Sequence, residues 1–116
     1  MTNKVMILMR ALQLLEFPNN WCKDNNAETY DGVPTDPKSS LAARWSARGA
    51  LIRAWYDCNA SIIDFDELYS ALSAEAMAIS TAKSLLTFNN LESTTHDQVL
   101  SVFRNAKAEY EKLIAA

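Results

Sequence analysis

Apolar residues recur at spacings of three and four in four separate stretches of this chain, and one aperiodic stretch, Asn19 to Ser40, interrupts them. Such spacing is helical, because about 3.6 residues per turn bring every third or fourth side chain to one face. Only two glycines and three prolines occur in 116 residues, too few for a strand-and-turn architecture. Abundant alanine and leucine favour helix as well. The expected fold is a single all-α domain over residues 1–116: a compact bundle of about four helices, with a long ordered loop between the first two. A chain of this length buries a core without help from metals or disulfides.

The first helix is expected from Asn3 to Glu16, capped by Thr2 or Asn3, with Val5, Leu8, Met9, Leu12 and Leu15 on one face. Pro18 stops it by forcing the preceding residue out of helical geometry. The second is expected from Ser40 to Cys58, with a bulky stripe (Leu41, Trp45, Ile52, Trp55, Tyr56) opposite a small one (Ala43, Ala47, Ala50, Ala54). Two usable faces make it the central helix. Gly49 sits inside it, which implies close approach of a neighbouring helix. The third is expected to start at Asp64, paired with Glu67 as a capping box, and to reach Leu86 with a break near Ser73. Its first-turn carboxylates Asp64, Asp66 and Glu67 suit the helix dipole and need no metal. The fourth starts at Thr95, with Gln98 three residues on, and carries Val99, Phe103, Ala106, Tyr110 and Leu113 on one face.

The aperiodic stretch is long for a small domain, and ordered loops of that length often carry binding residues. Trp21 and Tyr30 are expected to anchor it by packing, either as a binding loop or as a flap over the core. Arg44 and Arg48 fall within the bulky arc of the second helix at about 100° per residue. They either bury their methylenes and reach solvent or face a cleft as an anion-binding pair. His96, the only histidine, falls at the first position of the fourth helix, beside the cap Thr95. A helix start there offers free amides to an anion, whereas sequence distance alone supports no catalytic triad.

No CxxC, HExxH, P-loop, dinucleotide-binding or nucleophile-elbow motif is present, so no cofactor, metal site or catalytic residue is expected. The formal net charge of −3 disfavours nucleic acid, whose binding rests on phosphate contact. No apolar run reaches the roughly 18 residues that span a bilayer. Arg10 interrupts the first apolar run and no cleavage site follows, so Cys22 and Cys58 are expected as reduced thiols in a cytoplasm.

Three stretches carry a resemblance. The loop "WCKDNNAETYDG" and the segment "AARWSARGALIRA" resemble an uncharacterised bacterial and phage family of small helical domains, as does "FNNLESTTHDQVLSVFRNA" from Phe88 to Ala106. The resemblance implies an Asn-Asp pair where this chain has Asn89-Asn90. It implies a fold and an order of elements, and no reaction.

Three functional readings follow. The first is a small cytoplasmic interaction protein that binds another protein, with a phage or mobile element as its candidate source. The second is a small-ligand or anion-binding domain using Arg44, Arg48, Trp21, Tyr30, Thr95 and His96. The third is an enzyme of unrecognised type. An apolar surface patch favours the first, and a cleft holding both arginines favours the second.

Overall fold

The computed structural model describes residues 3–115. Among these, five α-helices accompany a two-stranded antiparallel sheet, so the expected all-α bundle of four helices is incorrect. The elements are α1 (Asn3–Leu14), a 3-10 turn (Pro18–Asn20), β1 (Ala27–Thr29), β2 (Ala42–Trp45), α2 (Ala47–Asp57), α3 (Ile62–Ile79), α4 (Leu85–Asn90) and α5 (His96–Ala115). The expected cap Thr2 lies outside the described residues.

The largest departure is at the start of the second helix. Ala42–Trp45 has the composition of a helix but pairs with β1, placing Trp45 opposite Ala27, Arg44 opposite Glu28 and Ala42 opposite Thr29. A bulge lies between the last two pairs. The aperiodic stretch has backbone groups to satisfy, and the Ala42–Trp45 segment satisfies them as a strand. The helix begins only after Ser46, whose hydroxyl accepts the Gly49 amide at 3.0 Å.

Of the two faces expected to be covered, helix α2 buries chiefly the small one. Ala47, Gly49, Ala50, Leu51 and Ala54 are inside, while Leu41 and Tyr56 are exposed. The small stripe lets neighbouring backbone come close. A methyl group built on Gly49 would lie 1.7 Å from the carbonyl oxygen of Asn26. Close approach therefore explains this glycine, but the neighbour is the loop and not another helix.

The third and fourth expected segments divide differently too. Ser61, not Asp64, caps α3, accepting the Asp64 amide at 3.2 Å. The helix passes through Ser73 without a break and stops at Ile79, before a serine- and threonine-containing turn. Buried Ser73 accepts the Leu85 amide at 2.9 Å, fixing where α4 begins. At α5 the capping box forms as expected. Thr95 Oγ1 accepts the Gln98 amide at 3.2 Å and Gln98 Oε1 accepts the Thr95 amide at 2.9 Å.

The core joins Ile7, Leu8, Ala11 and Leu15 with Leu51, Leu68, Leu72, Leu85, Phe88, Val99 and Phe103. Helix α1 packs on both α2 and α5, and α3 packs on α4 and α5. No helix among the described residues is long and apolar enough to cross a membrane.

Candidate functional site: an anchored loop with an exposed tip

The base of the 19–40 loop is organised by a residue absent from the predicted site, Asn89. Its side chain is 0% exposed and makes four hydrogen bonds. Oδ1 accepts the Trp21 indole N–H at 2.7 Å and the Ala47 amide at 2.9 Å. Nδ2 donates to the Cys22 carbonyl at 3.1 Å and to Asn90 Oδ1 at 3.0 Å. One amide thus ties the loop to the first turn of α2 and the end of α4. Asn90 Oδ1 also accepts the Asp24 amide at 2.8 Å, holding Asp24 in the left-handed region at φ 71°. Both contacts use position 90 as an acceptor, a role an aspartate fills equally well. An asparagine in place of the aspartate implied by the resemblance therefore preserves the geometry.

Three further anchors reinforce the base. Lys23 Nζ donates to the Leu91 carbonyl at 2.6 Å and lies 5.4 Å from the Trp21 ring centroid. Trp45 Nε1 and Arg53 both donate to the Pro37 carbonyl at 3.2 Å, and Arg53 reaches the Ser39 carbonyl at 3.0 Å. Every buried side-chain nitrogen and oxygen among the described residues has a partner.

The predicted site residues do not form one site. Trp21, Thr95 and His96 come together, with the Trp21 and His96 rings 6.0 Å apart. His96 Nε2 donates to the Leu15 carbonyl at 2.6 Å, locking the start of α5 to the end of α1. A carbonyl only accepts, so Nε2 carries the proton of this bond. Arg44 lies in β2 and donates to the Asn19 carbonyl at 3.1 Å and the Thr29 carbonyl at 3.3 Å. Arg48 lies on α2 with its guanidinium carbon 6.0 Å from the Tyr69 ring centroid. The two arginines thus serve different partners on different elements. Tyr30, expected as an anchor, is instead 82% exposed.

Tyr30 occupies the loop's tip. The Thr29 amide donates to the Val33 carbonyl at 2.8 Å and the Gly32 amide to the Thr29 carbonyl at 2.9 Å, closing a tight turn. Gly32 supplies the φ of 84° that this turn needs. Val33 is 57% exposed. The pairing of Thr29 with Ala42 brings Leu41, 69% exposed, to the same end of the ribbon as Tyr30.

Both cysteines are free thiols. Burial pushes the Cys22 thiol up to about 12, and burial also raises that of Cys58, so neither is an activated nucleophile. No group of three or more His, Cys, Asp or Glu among the described residues could hold a metal ion.

A mostly helical domain with a small sheet, whose long loop is fastened at one end and open at the other, is the class of protein these observations define. The chain belongs to the family of unknown function DUF6197, whose model matches residues 1–109. No curated protein and no solved structure matches it.

Proposed function

We propose that this protein is a cytoplasmic binding module that acts by engaging another protein through the tip of the 19–40 loop. The carrying observation is the contrast within one loop. Its base is fixed by hydrogen bonds from Asn89, Arg44 and Arg53, while Tyr30 and Val33, with the adjoining Leu41, project apolar surface into solvent. A protein gains nothing for its own stability from apolar side chains left in water. A rigid loop presents them with little conformational entropy left to lose on binding. Two unpaired thiols fit a reducing compartment. A phage or mobile-element source rests on the sequence resemblance alone. The anion-binding alternative has less support, because Arg44 is committed to loop carbonyls and Arg48 lies over Tyr69.

The test is affinity capture from the native host with wild-type protein and with Tyr30→Ser, Val33→Ser and Leu41→Ser combined. The expected result is a defined partner retained by wild type and lost by the triple variant, with both showing the same thermal melt. Equal capture by the two proteins would refute the assignment of the tip.

A further inference from the structure

We infer that the groove between α3 and α5 is a docking surface for a basic amphipathic segment of a partner protein. The starting observation is a core pattern that outlasts its core. Along α5, Val99, Phe103 and Ala106 are buried and Tyr110 is partly so, but Leu113, the next residue of the same stripe, is 72% exposed. The stripe runs on into an open groove of about 320 Å³, lined by Ala71, Ala74, Ala106, Tyr110 and Leu113. The small alanines in this lining leave room for an incoming helix to lie close.

Charge selects the occupant. The groove is rimmed by Glu75 and Glu109. Helix α3 as a whole carries Asp64, Asp66, Glu67 and Glu75 and no basic residue. Lys4 pairs with Asp64 and Glu67, and Lys112 pairs with Glu109, but Asp66 and Glu75 make no ion pair among the described residues. A second copy would set acidic rim against acidic rim in a chain of net charge −3. A segment with an apolar face and flanking lysines meets both features, placing its face against Leu113 and its ammonium groups beside Glu75, with a further one competing with Lys112 for Glu109. This surface is distinct from the loop tip, and the inference stands independently of that assignment.

The probe is a fluorescein-labelled amphipathic helix of leucine and lysine, titrated into the full chain and followed by anisotropy. Saturable binding that weakens as salt rises is expected. Glu75→Lys with Glu109→Lys should weaken it about tenfold, and Leu113→Ser by a similar factor. Glu16→Lys with Glu92→Lys makes the same change in net charge away from the groove and should leave affinity unchanged. All of these sites are at least partly exposed, and circular dichroism verifies the folds. Absence of binding overturns the inference. So does an equal loss in the control pair, which would mean diffuse attraction to net charge. Indifference to Leu113→Ser overturns it as well. Finally, a wild-type dimer in sedimentation that Leu113→Ser disperses would assign the groove to a second copy.

Discussion

At its base the 19–40 loop surrenders its polar atoms to the rest of the chain, whereas at its tip Tyr30 and Val33, with the adjoining Leu41, make no hydrogen bond or ring contact through their side chains among the described residues. The two ends lie within one segment of similar composition, so the difference comes from position. The base enters space already bounded by α2 and α4, where an unpartnered amide would be costly. The tip extends beyond that space. Under the proposed function, stability and recognition belong to different ends of the loop, and substitutions should separate them.

The sharpest way to break the comparison is Asn89→Asp. The carboxylate can still accept from Trp21 and Ala47 but cannot donate to the Cys22 carbonyl, and it buries a charge. A loss of about 3–5 kcal/mol in a urea melt is expected. The neighbouring Asn90→Asp should stay within about 0.5 kcal/mol, since Oδ1 there only accepts. If both variants melt alike, Asn89 does not organise the base.

Gly49→Ala comes next. The added methyl meets the Asn26 backbone, which flexible side chains cannot accommodate, so the loop base must shift. The expected cost is about 2–3 kcal/mol. A raised midpoint at unchanged slope would mean that the loop does not press on α2.

His96→Ala removes one partly buried bond to the Leu15 carbonyl and should cost about 1 kcal/mol. Circular dichroism should stay unchanged, because Thr95 and Gln98 still cap α5.

The smallest effect on stability belongs to the tip. Tyr30→Ser and Leu41→Ser should each change the unfolding free energy by less than about 0.5 kcal/mol. A loss of more than about 1 kcal/mol would show that the tip, too, serves the fold.

Much of the helical scaffold was legible in the residues. Helix α1 and the capping box of α5 depend on local spacing and local hydrogen bonds, which sequence reports directly. Strand β2 was not legible, because "AARW" has no strand signature and its conformation is imposed by a partner strand in the loop. The same holds for Arg44 and Arg48, whose helical spacing disappears once Arg44 lies in a strand. Asn89 had one faint signal. Leu85, Phe88 and Asn89 share the spacing of a buried face, and an amide at such a position needs several buried partners. Three of its four partners lie 42 to 68 residues away, beyond any local pattern.

The bond from the Ala47 amide to Asn89 also bears on the order in which the molecule opens. First-turn amides of a helix ordinarily lack an acceptor and exchange with solvent by local fraying. Here that amide is gripped from α4, so its hydrogen cannot leave until α2 and α4 part. In a native-state exchange experiment Ala47 should therefore belong to the slowest class, alongside the amides of the core, and report global unfolding from the very end of a helix.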